Sequence, residues 1–110
     1  MKKFIFTALT TFMLTNMANA QKIIAHRGYW DTENNAKNSI KSLKSAQEIG
    51  AYGSEFDVLI SADDVLMVNH DDNFQGHAIE MTNSSLLKTL KLANNENMPT
   101  LEEYFEQGKK

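Results

Sequence analysis

The chain has 110 residues, 11 Lys and Arg against 14 Asp and Glu, a formal net charge of −3 and a hydrophobic share of 42%. That balance leaves no basic footprint for a nucleic acid, and the lack of any Cys removes disulfides, thiolate zinc sites and a Cys nucleophile. A metal site in this chain must therefore be built from oxygen or imidazole.

Residues 1–20 read as a secretory signal peptide. Met1-Lys2-Lys3 supplies a positive start, Phe4 to Leu14 is mostly apolar, and Ala18-Asn19-Ala20 has the small-x-small form of a cleavage site. The apolar run is too short for a confident membrane span, and no Cys follows it as a lipid attachment point, so no stable membrane anchor is expected. Cleavage removes two lysines and no acid, which takes the net charge from −3 to −5. The mature segment 21–110 is expected to be exported, to a periplasm or to the outside of a cell.

Lys22-Ile23-Ile24-Ala25 reads as a short buried strand that stops at His26-Arg27-Gly28. The carboxyl end of such a strand is the ligand end in parallel α/β folds, and Gly28 allows a tight turn and a close approach of backbone. Taken alone, His26 reads better as a structural histidine and Arg27 as a surface charge. Tyr29 to Asn38 is a polar loop, and a helix follows from about Ser39 to Ile49, with Ile40, Leu43, Ala46 and Ile49 as its stripe and Gly50 as its stop. The next strand is Ser54 to Val58, which completes a strand–helix–strand unit and makes the two strands parallel.

Within that strand the alternation of faces places Glu55 and Asp57 on one side and Phe56 and Val58 on the other. Carboxylates without a cation are costly to bury, and the run itself contains no Lys or Arg. A hard divalent ion fits two such groups; a solvated edge strand is the plainer alternative. Ser61 to Asp64 is a turn, and Val65 to Val68 forms a further strand ending in Asn69-His70-Asp71-Asp72. Phe74 to Met81 shows no period, and His77 is taken as a surface residue. Thr82 or Ser84 caps a short helix carrying Leu86, Leu87 and Leu90, and Pro99-Thr100-Leu101-Glu102-Glu103 starts another, with Thr100 and Glu103 forming a capping box. If the three strands lie side by side in one sheet, their ends bring His26, Arg27, Glu55, Asp57 and His70 into one pocket. Such a set suits phosphodiester hydrolysis: a cation polarises the phosphoryl oxygens, a guanidinium grips them, and two imidazoles exchange protons.

In order and spacing, His26-Arg27-Gly28, Glu33-Asn34, Gly50-Ala51, Glu55-x-Asp57-Val58, Asp64-Val65, His70-Asp71 and Met98-Pro99-Thr100-Leu101-Glu102-Glu103 resemble the glycerophosphodiester phosphodiesterase family. The resemblance implies a TIM (β/α)8 barrel of the phospholipase C-like phosphodiesterase type, only the first few βα units being present here. It implies hydrolysis of glycerophosphodiesters to glycerol 3-phosphate and an alcohol in phospholipid metabolism, with one divalent cation, Ca²⁺ or Mg²⁺. By the same resemblance His26 and His70 are the acid/base pair, Glu55 and Asp57 metal ligands, Arg27 a substrate contact, and Glu33 and Asn34 residues that order the first loop. Where the family has Pro-Glu-Asn-Thr this chain has Thr32-Glu33-Asn34-Asn35, a difference that bears on loop rigidity and capping.

The family also carries a further acidic ligand on a strand beyond the Pro-Thr-Leu-Glu-Glu helix. A full barrel needs at least about 200 residues, so the segment 21–110 is expected to be the amino-terminal part of a longer enzyme, inactive by itself. The alternatives are a related phospholipase-like barrel acting on another phosphodiester, and a non-catalytic exported remnant.

Overall fold

The computed structural model describes residues 21–110; the expected leader, 1–20, lies outside the described residues. Strand β1 (Ile24–His26) is followed by helix α1 (Ile40–Glu48) and strand β2 (Gly53–Glu55). β1 and β2 pair in parallel, with Ile24 opposite Gly53 and His26 opposite Glu55, the expected strand–helix–strand unit. Ser39 caps α1, its side chain accepting from the Ser42 N–H, so a helix start read from composition is met by a real cap. Ile49 lies beyond the last turn and is 56% exposed, so the apolar stripe ends at Ala46. β1 is more open than the buried strand expected, with Ile24 59% exposed, because β2 is its only strand neighbour among the described residues.

The acidic strand is shorter than its composition suggests. β2 stops at Glu55, and a separate strand, β3 (Val58–Ile60), begins after Phe56 and Asp57. The β1 ladder cannot continue, because Arg27 and Gly28 turn away with φ of 58° and 81°, and Phe56 instead packs on Tyr104 at 4.6 Å between ring centroids.

β3 pairs antiparallel with β4 (Leu66–Val68), Val58 standing opposite Val68. A single sheet of three side-by-side strands is therefore corrected to two-stranded pairs. The reason is length: the Ser61–Asp64 turn can close a hairpin, whereas a parallel return needs a crossover of a dozen residues or more. A second hairpin, β5 (Asn73–Phe74) with β6 (His77–Ala78), occupies the stretch without period. Its turn is Gln75-Gly76, both at positive φ, and His77 is half-buried on β6 rather than on the surface.

Two apolar clusters support these elements. Ala36, Met67, Ile79, Leu87, Leu92 and Met98 form one, and Leu43, Val68 and Tyr104 the other, with Phe56 and Leu101 against it. β4 joins them, since neighbouring Met67 and Val68 point to opposite sides and are 0% and 1% exposed. Burial pushes the Tyr104 phenol up from its ordinary pKa, while a hydrogen bond with Ser54 at 3.2 Å acts the other way and ties the last helix to β2.

The short helix α2 (Ser84–Leu87) has no cap from Asn83; Thr82 donates instead to the Ala78 carbonyl. Its cap comes from the β3–β4 turn, where the Asp63 carboxylate accepts from the Ser84 N–H at 2.8 Å and its hydroxyl at 2.6 Å. Hydrogen bonds from Ser61 and Ser84 hold that carboxyl well below the usual carboxylate range. Helix α3 (Leu101–Gly108) starts at the expected capping box of Thr100 and Glu103. Partial burial raises the Glu103 carboxyl, but hydrogen bonds from Lys88 and Thr100 outweigh it and hold the group below its usual value. Thr100→Ala should lower stability by about 1 kcal/mol, read as a shift in the urea midpoint at constant slope, and Thr100→Ser should restore most of it.

Candidate active site

The site begins with a turn that only glycine allows. A Cβ on Gly28 would stand 2.3 Å from Ser42 Oγ and 2.8 Å from the Ser42 backbone carbon. With no side chain there, the turn lies flat against the first turn of α1. The Arg27 carbonyl accepts from the Asn38 N–H at 2.9 Å and from the Ser42 hydroxyl at 3.2 Å, and Tyr29 N–H donates to the Ser42 carbonyl at 2.9 Å. The backbone that carries His26 and Arg27 is thus held by the helix that follows it.

Glu55 and Asp57 meet this turn from β2 and just beyond it. Glu55 Oε2 accepts from the Arg27 N–H at 3.2 Å and lies 3.5 Å from His26 Nε2. Asp57 Oδ2 accepts from Asn38 Nδ2 at 3.1 Å and lies 3.7 Å from Arg27 Nε. The cation missing from the acidic run comes from thirty residues earlier in the chain. Both carboxylates face the same turn although the strand breaks between them.

His70 reaches this end of the molecule by the hairpin. β3 leads away from Asp57 and β4 returns beside it, so that the Asn69 N–H donates to the Asp57 carbonyl at 3.0 Å. An antiparallel return brings the residue after β4 back to where β3 began, so His70 arrives by a hairpin and not from a third strand of one sheet. His70 Nδ1 is 2.7 Å from Asp71 Oδ1. Arg27, Trp30, Asn38, His70, Asp71 and Phe74 line one cleft of about 440 Å³. Its rim carries the Lys37 ammonium 4.5 Å from the Trp30 ring centroid.

The first loop is ordered chiefly by Asn35. Its Nδ2 donates to the Tyr29 carbonyl at 2.8 Å and to Ser45 Oγ at 3.1 Å, and its Oδ1 accepts from the Ala36 N–H and the Ser39 hydroxyl. Glu33 and Asn34, expected to order this loop, lend it backbone carbonyls that accept from Lys41 Nζ, and both are exposed. Asn34 does shape the chain, since its φ is 60°. Asn38 was not singled out in the sequence. Its one visible signal is an Asn directly before a helix cap, a residue type that tolerates the left-handed region.

The contacts fall on one oxygen of each carboxylate, Glu55 Oε2 and Asp57 Oδ2. Oε1 and Oδ1 remain as hard oxygen donors of the kind Ca²⁺ and Mg²⁺ take. Among the described residues no three His, Cys, Asp or Glu side chains group closely enough to surround an ion, so the two carboxylates fit part of a coordination shell.

Parallel strands with an intervening helix, and polar groups gathered at their carboxyl ends, are the marks of a parallel α/β protein. The chain belongs to the glycerophosphoryl diester phosphodiesterase family, whose model matches residues 26–110. It is 36% identical over 96 residues to a glycerophosphodiester phosphodiesterase of Caldanaerobacter subterraneus subsp. tengcongensis, covering 76% of this chain and 39% of that protein. A crystal structure of a glycerophosphodiester phosphodiesterase from Parabacteroides distasonis is similar with a TM-score of 0.78 and 57% identity, over 80% of this chain and 37% of that one. A phosphodiesterase from Oleispira antarctica, solved in complex with the product sn-glycerol-3-phosphate, is similar with a TM-score of 0.71 and 29% identity, over 79% and 39% of the two chains. The shared fold is the TIM (β/α)8 barrel, and this chain spans well under half the length of these relatives.

Gly28→Ala should cost about 2–4 kcal/mol, the sum of a left-handed penalty and overpacking against α1. Gly50, also at positive φ but with nothing within 4 Å of its would-be Cβ, is the control. Gly50→Ala should lose only the backbone part, about 1–2 kcal/mol, and equal urea midpoints for the two variants would show that contact with Ser42 is unimportant.

Proposed function

We propose that the protein carrying this chain hydrolyses glycerophosphodiesters to glycerol 3-phosphate and an alcohol, with Glu55 and Asp57 as ligands of one divalent cation, Ca²⁺ or Mg²⁺. The observation that carries this reading is the gathering of His26, Arg27, Glu55 and Asp57 at one turn, with Arg27 and His70 on one cleft. When bound, the cation supplies positive charge to the phosphoryl oxygens.

The remaining work falls to the side chains of this chain. Arg27 lies at the cleft with its Nε toward Asp57, and its guanidinium is the group suited to hold a phosphate oxygen. His26 and His70 serve as the acid/base pair. One imidazole takes the proton of the attacking oxygen as its bond to phosphorus forms, and the other gives a proton to the alcohol oxygen as its bond to phosphorus breaks. Asp71 at His70 Nδ1 orients that ring and leaves Nε2 for proton transfer. Asn35 and the Gly28 turn hold the loop so that these groups keep their spacing.

The product-bound relative from Oleispira antarctica supports the substrate class, and the apolar run before Ala18-Asn19-Ala20 supports export. Among the described residues no helix is long and apolar enough to cross a membrane. Assay of the full-length protein on a panel of glycerophosphodiesters tests the reading. Excess chelator should abolish turnover and Ca²⁺ or Mg²⁺ should restore it. His70→Ala should reduce turnover by roughly 10²- to 10⁴-fold with the fold intact; near-normal turnover would make His70 structural, and full activity in chelator would remove the metal role of Glu55 and Asp57.

A further inference from the structure

Asn38 is only 4% exposed, holds φ at 58°, and links two parts of the site. Its backbone N–H donates to the Arg27 carbonyl at 2.9 Å, and its side-chain Nδ2 donates to Asp57 Oδ2 at 3.1 Å. Its Oδ1 is buried and makes no hydrogen bond. We propose that Asn38 is a positioning residue for Asp57, turning that carboxylate so that Oδ1 faces the divalent cation assigned above; the proposal rests on that assignment.

A left-handed non-glycine residue and an orphaned buried carbonyl oxygen are each unfavourable. Glycine would supply the same turn, and the same N–H to Arg27, with neither cost. The side chain therefore has to be explained by what it alone provides, and its hydrogen bond is to Asp57.

That bond has a geometric effect. Asp57 Oδ2 accepts from Asn38 Nδ2 at 3.1 Å while Arg27 Nε stands 3.7 Å away, so that oxygen is held by one hydrogen bond and one longer ion pair. Arg27 alone is too distant for a good hydrogen bond, and its Nε has no other partner. Asn38 is the shorter of the two restraints. Removing it should let the carboxylate swing toward the guanidinium, pairing the charge that would otherwise attract the ion and drawing Arg27 from the cleft. Groups that hold a ligating carboxylate in this way are commonly worth 10- to 100-fold in metal affinity.

The test is titration calorimetry of the full-length protein with Ca²⁺ and with Mg²⁺, without substrate, on wild type, Asn38→Gly and Asp57→Asn. Asp57→Asn should abolish binding. Asn38→Gly should bind roughly 10- to 100-fold more weakly, while melting without metal at or above the wild-type temperature, since glycine relieves the backbone strain and removes the orphaned oxygen. If Asn38→Gly binds both ions as tightly as wild type while Asp57→Asn does not bind, the proposal is overturned and the metal assignment stands. If Asp57→Asn binds as wild type does, or wild type binds neither ion, the assignment fails and the proposal with it. A glycine variant that unfolds would show Asn38 to be a structural residue, which also overturns it.

Discussion

The turn at Arg27 and Gly28 can sit against α1 only because Gly28 has no side chain. Within that space the Arg27 carbonyl is taken up by Asn38 and Ser42, and Tyr29 is bonded to Ser42. The contact fixes where β1 ends. Four polar groups of the site refer to that point: His26 precedes it, Arg27 is in it, Glu55 accepts its N–H, and Asp57 faces its guanidinium. A shift of this turn would move both the Arg27 side chain and the partners of both carboxylates.

From that fixed point the site is completed by a change of strand direction. β2 follows β1 in parallel and must stop where β1 stops, since a strand whose neighbour has turned away has no ladder to extend. The chain uses the break. Phe56 turns into the aromatic contact with Tyr104, Asp57 remains at the site, and the β3–β4 hairpin leaves and returns to it. Two residues without strand pairing thus separate a parallel pair from an antiparallel one, and His70 is delivered by the second.

Charge is managed by the same economy. Asp57 and Glu55 are 28% and 43% exposed on their side chains, and each takes a donor from the Arg27 turn or from Asn38. At such exposure the ion pairs contribute little to stability, and their effect is mainly to orient. Elsewhere Asp63 plays a structural part with the same tools, replacing the side-chain cap that Asn83 does not provide.

Much of this was written in local order. The stripe of Ile40, Leu43 and Ala46, the Ser39 start, the Thr100–Glu103 capping box and the strands around Ile24 and Met67 depend on neighbours a few residues away, and the side-chain period exposes them. The grouping of His26, Arg27 and Glu55 was legible for a related reason, as they stand at the ends of two strands read as a parallel pair. What the sequence could not decide were the contacts between distant segments and the turns that non-glycine residues make. The split of the acidic strand depends on where β1 turns, the capping of Ser84 depends on Asp63 twenty-one residues earlier, and the link from Asn38 to Asp57 spans nineteen. The left-handed backbone at Arg27, Asn34 and Asn38 leaves no mark on hydrophobic periodicity, because it is held by packing and hydrogen bonds formed only once the chain has closed on itself.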